Sequence, residues 1–198
     1  AVAREVREVA DPGARVVVVA GRGNNGGDAF VAARFLDEYD VSVHLLGRAD
    51  AIGTDIAREN WAALQRAEID TEEVPDSSAL DLPDCDVVVD GMLGTGVTGA
   101  LREPAATAAK QLNAVGATVV AVDVPSGVNA DTGRSEGPVV EADRVVTFHD
   151  EKPGLGDLRA DVTVADIGIP AAAERFVGPG DLRGVRGDVG GRVFVIGG

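Results

Sequence analysis

The sequence lacks the features that mark several common classes of protein. Cys85 is the only cysteine among 198 residues, so an internal disulfide and a cysteine-ligated zinc site are both excluded. The valines that follow it at 87–89 indicate that this thiol is buried and unreactive. No stretch approaches the roughly 18 consecutive apolar residues of a membrane helix, and residues 1–5 lack the layout of a secretory signal. A cytoplasmic location is the expectation.

Positive charge is also scarce. The chain carries 18 Lys and Arg against 33 Asp and Glu, a net charge of −15, and its only lysines are Lys110 and Lys152. Such an acidic surface repels nucleic acid, and no basic run offsets it. An acidic surface on its own is explained by a need for solubility. Acidity combined with lysine depletion favours adaptation to high salt, as in halophilic proteins.

Apolar runs alternate with helical patterns along the chain, which predicts an α/β fold with a mostly parallel central sheet between two layers of helices. Strands are predicted at residues 16–20, 41–46, 87–90, 117–124, 144–148 and 162–167, and helices at 1–9, 29–36, 54–66 and 105–115. In the helix at 54–66, the predicted buried side consists of Ile56, Trp61, Ala62 and Leu64.

Three polar and glycine-rich clusters follow predicted strands. Residues 21–28 read G-R-G-N-N-G-G-D, residues 90–99 read D-G-M-L-G-T-G-V-T-G, and residues 123–127 read D-V-P-S-G. In an open α/β sheet, ligands bind beyond the carboxyl ends of the strands. The first two clusters each contain G-x-G-x-x-G, which lets the backbone approach a phosphate. A tight turn would explain the glycines, but not the accompanying amides and carboxylates.

Asp123 follows a long apolar strand, so its carboxyl group is expected at a poorly solvated sheet edge. Such a setting raises a carboxyl pKa and suits general acid/base chemistry. The second strand ends in Leu46-Gly47-Arg48, without the Asp or Glu that binds ribose in many dehydrogenases. This difference, together with Asn24 and Asn25, disfavours an NAD(P)-dependent oxidoreductase.

These motifs resemble those of the NAD(P)H-hydrate epimerases, the YjeF N-terminal domain family. The resemblance rests on G-x-G-N-N-G-G-D at 21–28, D-x-x-L-G-T-G at 90–96 and D-x-P-S-G at 123–127, and extends to Thr147, Phe148 and Lys152. It covers about residues 1–170. It implies a three-layer αβα Rossmann-like fold and an isomerase that interconverts the R and S forms of hydrated NADH or NADPH at C6 of the nicotinamide ring. The hydrate is then a substrate, not a cofactor.

The same resemblance implies roles for individual residues. Substrate would be bound by Asn24, Asn25, Gly26, Gly27, Asp28, Gly94, Thr95, Gly96, Val97, Thr98, Gly99, Ala100 and Asp123. Asp123 would be the catalytic acid/base. One potassium ion per subunit would be bound by Asn25, Asp90 and Ser126, an all-oxygen set that suits a hard cation.

Several expectations concern the wider organisation of the protein. Residues 1–178 are predicted to form the epimerase domain, and residues 179–198 a linker and the first strand of a fused ADP-dependent hydrate dehydratase domain. The oligomeric state stays open, with a homodimer as one option. The preference between NADH and NADPH hydrates also stays open, although Arg48 favours a 2′-phosphate. The alternative function is a non-catalytic Rossmann-like ligand-binding or scaffold module.

Overall fold

Valine runs form the central strands of the sheet, because β-branched side chains fit its pleated, buried surface. The computed structural model describes residues 1–96 and 98–169. Seven strands are present among them: β1 Arg15–Ala20, β2 Asp40–Leu46, β3 Asp70–Val74, β4 Val87–Gly91, β5 Thr118–Val122, β6 Arg144–Phe148 and β7 Asp161–Ala165. They form one parallel sheet in the order β3-β2-β1-β4-β5-β6-β7.

The direction of winding reverses at β1, which pairs with β2 on one side and β4 on the other. A reversal of this kind opens a crevice at the carboxyl ends of the strands, where open α/β sheets bind ligands. The three clusters singled out in the sequence follow β1, β4 and β5, so all three reach the same edge of the sheet.

Helices cover both faces of the sheet. The helices are α1 Val2–Val9, α2 Asn24–Arg34, α3 Asp55–Arg66 and α4 Ala105–Ala114. Side chains alternate along β1, so Val16 and Val18 pack with α1, α2 and α3, whereas Val17 and Val19 pack with α4 on the opposite face. The predicted three-layer fold with a parallel central sheet is confirmed.

The structure corrects several predicted elements. The strand β3 was not predicted; it is a charged strand at the edge of the sheet, with Glu72 and Glu73 exposed. The helix α2 begins at Asn24, five residues before its predicted start at 29, so the asparagine cluster is helical. Ile56 is 58% exposed, and Ala57 takes the buried position next to it. The last strand ends at Ala165 instead of 167.

The residues Ala1–Ala165 form one compact unit. The longest helix of the described part, α3, has 12 residues, and none there is long and apolar enough to cross a membrane. Cys85 is half-buried, and desolvation followed by the charges of Asp86 and Asp84 raises the pKa of its thiol, in line with an unreactive side chain. The predicted boundary at 178 and the segment 179–198 lie outside the described residues.

Candidate active site

The carboxyl edge of the sheet carries a cavity of about 410 Å³ where β1, β4 and β5 end. Residues from all three clusters line it: Asn24, Asn25, Asp28, Gly94, Thr95, Gly96 and Asp123. Of the other residues predicted to bind substrate, Thr98 and Ala100 line an adjoining cavity, Gly99 lines a third, and Gly26 and Gly27 are buried within α2. Val97 lies outside the described residues. The sequence clusters therefore meet at one place.

The asparagine cluster forms the first turn of α2. Gly23 is the N-cap, and the N–H of Gly27 donates to the carbonyl oxygen of Gly23 at 3.0 Å. The first N–H groups of a helix have no intrahelical acceptor and carry the positive end of its dipole. The first turn contains no acidic residue. Since Asn24 and Asn25 line the cavity, this end of α2 offers it a site for an anionic group.

Asp90 joins the ends of β4 and β5. Its side chain is fully buried, and Ser126 donates to it twice, from Oγ to Oδ1 at 2.7 Å and from N–H to Oδ2 at 2.8 Å. The N–H of Met92 donates to Oδ1 at 3.1 Å. Burial raises the pKa of Asp90 to about 6, and the hydrogen bonds from Ser126 and Met92 oppose that shift.

Asn25 places a second polar group against the loop that follows β4. Its Cγ and Oδ1 lie 3.3 Å from the position that a Cβ atom would take at Gly94. Its Nδ2 is buried and has no hydrogen-bond partner among the described residues. The Ser126 hydroxyl donates to Asp90, accepts from the N–H of Leu93 at 3.0 Å, and keeps a second lone pair for a further ligand.

These three groups fit the cation that the resemblance implies. A buried carboxylate with a raised pKa gains from a positive charge, and the side-chain oxygens of Asn25 and Ser126 are the kind of ligand that such a cation takes. Within residues 1–96 and 98–169, no three His, Cys, Asp or Glu side chains gather into a metal-binding group. The donors that the resemblance implies, Asn25, Asp90 and Ser126, offer mixed side-chain oxygens, which suit a hard cation.

Asp123 follows β5 in an uncommon backbone conformation. Its φ angle is 67°, in the left-handed region that Asp and Asn tolerate better than most residues. The N–H of Asp123 donates to the carbonyl oxygen of Val146 at 2.8 Å. The N–H of Val124 donates to the carbonyl oxygen of Val122 at 2.9 Å. This tight turn ends the strand with the carboxylate at the cavity. Strained backbone of this kind occurs often at functional sites.

Lys152 is the charged partner of Asp123. Its Nζ lies 2.8 Å from Asp123 Oδ1, and the two side chains are only 21% and 15% exposed. Lys152 also donates to the carbonyl oxygen of Phe148 at 2.7 Å, and the Thr147 hydroxyl donates to Asp123 Oδ1 at 3.2 Å. Thr147, Phe148 and Lys152 form the T-F-x-x-x-K pattern at residues 147–152, to which the sequence resemblance extends. The sequence pattern singled out that motif but gave no sign that its side chains contact Asp123.

Asp28 places a second carboxyl group on the cavity. Its pKa is raised, mainly through desolvation by neighbouring atoms and secondly through the charge of Asp123, although the residue stays accessible to solvent. The charge of Asp123 therefore acts on Asp28, and both residues line the same cavity. A site with two coupled carboxyl groups and one ammonium group can give a proton to a bound molecule and take it back.

The fold and site together define a Rossmann-like enzyme domain equipped for anion binding and proton transfer. Comparison with known proteins gives the family. The sequence profile described as "YjeF-related protein N-terminus" matches residues 1–154, and the chain belongs to that family. The family predicted from the sequence motifs is confirmed.

Several relatives are similar over most of this chain. The Bifunctional NAD(P)H-hydrate repair enzyme Nnr of Methanothermobacter thermautotrophicus is 44% identical over 216 residues, which cover 100% of this chain and 41% of that protein. The NAD(P)H-hydrate epimerase of Cenarchaeum symbiosum is 44% identical over 183 residues, which cover 89% of this chain and 85% of the relative. The chain thus spans less than half the length of the bifunctional relative.

A solved structure shares the fold. The crystal structure of the yeast protein ynu0 (YNL200c) superimposes with a TM-score of 0.74 at 26% sequence identity, covering 85% of this chain and 76% of the yeast chain. The parallel sheet and its flanking helices are therefore an arrangement that both chains adopt.

Proposed function

We propose that this domain epimerises hydrated NADH and NADPH, interconverting the R and S forms at C6 of the nicotinamide ring and so repairing damaged cofactor. The observation that carries the proposal is Asp123, which is paired with Lys152 and lines a cavity together with the N-terminus of α2 and a second carboxyl group, that of Asp28. Family membership and the names of the relatives support it.

Asp123 is the proton donor and acceptor of the proposed reaction. In its protonated form it gives a proton to the C6 hydroxyl group while the C6–O bond breaks, and the lone pair of the ring nitrogen moves to form a C=N bond. Water leaves, and the ring becomes a planar cation. A water molecule then adds to the opposite face of C6 and returns its extra proton to Asp123. Atoms and electrons balance without an oxidant or a reductant.

Other residues orient these reacting groups. Lys152 and Thr147 both contact Asp123 Oδ1, so they fix the direction of the carboxylate. The first turn of α2 receives the pyrophosphate of the substrate at its free N–H groups. The half-buried position of Asp123 limits competing contact with bulk water.

The same proposal includes one potassium ion per subunit. Asn25, Asp90 and Ser126 would hold it through their side-chain oxygens. When bound, the ion supplies positive charge beside the buried Asp90 and ties the ends of β1, β4 and β5 together. The burial and the raised pKa of Asp90 support this part of the proposal.

An epimerisation assay tests the proposal directly. A single purified epimer of the hydrate is mixed with the protein, and formation of the other epimer is followed by chromatography. Asp123→Asn keeps the shape of the side chain but removes the transferable proton, so turnover should fall by about 100- to 10,000-fold while affinity for an unreactive dinucleotide changes little. Asp37→Asn is the matched control, since Asp37 is an exposed residue between α2 and β2, at the opposite edge of the sheet.

The outcomes separate the candidate functions. Normal turnover in Asp123→Asn contradicts the acid/base role. Dinucleotide binding without epimerisation in the unaltered protein indicates the ligand-binding or scaffold module instead. Oxidation of added NADH in the presence of simple carbonyl compounds indicates an oxidoreductase.

The wider context is part of the proposal. Because the bifunctional relative of Methanothermobacter thermautotrophicus is more than twice as long as the matched region, we propose that the natural protein continues into a fused dehydratase domain. A cytoplasmic location is a separate part of the proposal. A natural reading frame that ends at Gly198 would contradict the fusion. A homodimer is an additional proposal, which ultracentrifugation of the full-length protein tests.

A further inference from the structure

A second cavity adjoins the candidate active site on the side of β2. Its volume is about 550 Å³, and it shares Gly23, Met92, Leu93 and Gly96 with the first cavity. Leu46 at the end of β2 also lines it. The sheet order places β2 beside β1, so the two cavities follow the carboxyl edge from β5 across β4 and β1 to β2. This span is three strand spacings, roughly 14 Å.

A continuous cleft of this length suits an extended dinucleotide. With the nicotinamide ring at Asp123 and the pyrophosphate at the first turn of α2, the adenosine end reaches β2. In dinucleotide-binding folds of this topology, the residues at the end of β2 distinguish a ribose 2′-hydroxyl from a 2′-phosphate. An acidic residue there binds the hydroxyl, and an arginine nearby accommodates the phosphate.

Arg22 occupies this position. Its Cδ and Nε atoms lie 2.7 and 3.0 Å from the point that a Cβ atom would take at Gly47, the residue after β2, so the arginine stem lies across the end of that strand. Gly47 has a φ of 121°, which disfavours any residue with a side chain there. The backbone of Arg22 is held in place, because its carbonyl oxygen accepts from the N–H of Gly53 at 2.8 Å.

The charge of the second cavity favours an anion. Arg22 and Arg102 both line it. Its one acidic lining residue, Glu103, is already engaged, since its Oε2 accepts from Ser77 Oγ at 2.6 Å and from the N–H of Thr107 at 3.2 Å. Two arginines therefore line a cavity that has one carboxylate, whose acceptor atom is already hydrogen-bonded to its neighbours, and guanidinium groups bind phosphate well.

We propose that the second cavity binds the adenosine end of the substrate, with Arg22 and Arg102 contacting a ribose 2′-phosphate, so that hydrated NADPH is preferred over hydrated NADH. This inference rests on the proposed function, because it places the two ends of the substrate relative to Asp123. It also revises a detail of the sequence interpretation. Arg48, which the sequence favours for this role, is not among the residues that line the cavity, whereas Arg22 covers the end of β2.

Nucleotide fragments test the subsite without any turnover. Calorimetric titration should show that 2′,5′-ADP binds about tenfold or more tightly than 5′-AMP, since charge-assisted hydrogen bonds to the extra phosphate are strong. The isomer 3′,5′-ADP has the same groups with one phosphate moved, and it should bind more weakly than 2′,5′-ADP. Equal affinity for the two isomers would show a general anionic attraction and overturn the assignment.

Variants identify the residues. Arg22→Gln and Arg102→Gln should each remove most of the preference for 2′,5′-ADP, and Arg22→Lys should keep part of it. Arg48→Gln is the matched control and should keep all of it. The proposal is overturned if Arg48→Gln loses the preference for 2′,5′-ADP while Arg22→Gln keeps it. Thermal unfolding of each variant checks that the fold is intact.

Epimerisation assays separate this inference from the proposed function. The ratio of kcat/KM for hydrated NADPH to that for hydrated NADH should exceed one in the unaltered protein and fall in Arg22→Gln, through KM and not through kcat. Epimerisation of both hydrates with equal kcat/KM overturns the inference and leaves the proposed function standing. Selective binding of 2′,5′-ADP without epimerisation overturns the proposed function, while the subsite for a 2′-phosphate stands.

Discussion

Asp123 and Lys152 are the residues on which the proposed chemistry depends most closely. The carboxylate can be found from sequence, because it interrupts an apolar run at a strand end. Its partner follows the next strand along the chain, β6, and contacts Asp123 only in the folded protein. Sequence spacing contains no signal for such a contact, since it depends on how β6 lies against β5.

The first prediction at this scale concerns Lys152. Replacing it with Met keeps much of the apolar stem but removes the ammonium group 2.8 Å from Asp123 Oδ1. The carboxylate then loses its main orienting contact, so kcat should fall about 100-fold, the lower end of a general acid/base effect, while KM changes less. Lys152→Arg keeps the charge and should recover part of the rate. Steady-state epimerisation by both variants measures this, and an unchanged kcat in Lys152→Met would contradict the role.

The second prediction concerns His44, a buried residue of β2 that is 5% exposed. Desolvation lowers its pKa from 6.5, although Glu72, 3.4 Å from Nδ1, and Asp70 partly oppose the shift. As the pH falls through about 6.5, the unfolded chain takes up a proton that the folded chain resists, so His44 lowers the stability at acidic pH. In His44→Gln the free energy of unfolding should depend less on pH.

Urea unfolding at about pH 7.5 and about pH 5.5 checks the sign of this effect for both proteins. The comparison uses the change with pH in each protein, so a constant loss of stability in the variant does not disturb it. A variant that loses as much stability on acidification as the unaltered protein would show that His44 does not contribute.

At the scale of whole elements, sequence patterns fail where tertiary packing overrides local preference. Glycine is a poor helix former, so the glycine pair after Asn25 predicts a turn, yet α2 begins at Asn24. The pair is needed for close packing, because Gly26 lies against the backbone of Gly21 and Gly27 against Ala57 of α3. The missed strand β3 is rich in charged residues because it lies at the edge of the sheet. Its pairing with β2 makes it a strand, and this pairing is not visible in an isolated window.

The loop after β4 gives a prediction at this scale. A methyl group at Gly94 would lie 3.3 Å from Asn25 Cγ and Oδ1, so Gly94→Ala should displace the amide from its position against this loop. Affinity for substrate should fall roughly tenfold, whereas stability should change by no more than about 1 kcal/mol, because the residue is only partly buried. Titration calorimetry and thermal unfolding measure the two effects.

Gly96→Ala is the control for this variant. It adds the same methyl group to the same loop, but a Cβ atom at Gly96 meets no atom of the described residues within 4 Å. The effect on affinity should therefore be clearly smaller than in Gly94→Ala. Equal effects would show that loop flexibility is responsible, and not the contact with Asn25.

At the scale of the whole molecule, the site gathers negative charge in a protein that is already strongly acidic. The net charge is −15, and the fully buried Asp90 is added to the carboxylates of Asp28 and Asp123 around the cavity. Repulsion within the folded chain weakens as salt screens it, with a Debye length of about 10 Å at 0.1 M falling to about 3 Å at 1 M. Cations can therefore stabilise this protein in two ways, by general screening and by specific binding.

The two effects can be separated by comparing sodium with potassium at equal ionic strength. Raising NaCl from about 0.1 to about 1 M should raise the Tm through screening alone. Replacing NaCl by KCl should raise it further, because an ion that binds only the folded state stabilises it by up to about 2.7 kcal/mol at 100 times its Kd.

Asp90→Asn should abolish the difference between the two salts while keeping the response to NaCl, since the amide hardly changes the net charge of −15. Identical melting curves in KCl and NaCl for the unaltered protein would refute the potassium site. A Tm that does not respond to either salt would refute the screening argument. A salt difference that persists in Asp90→Asn would place the ion elsewhere.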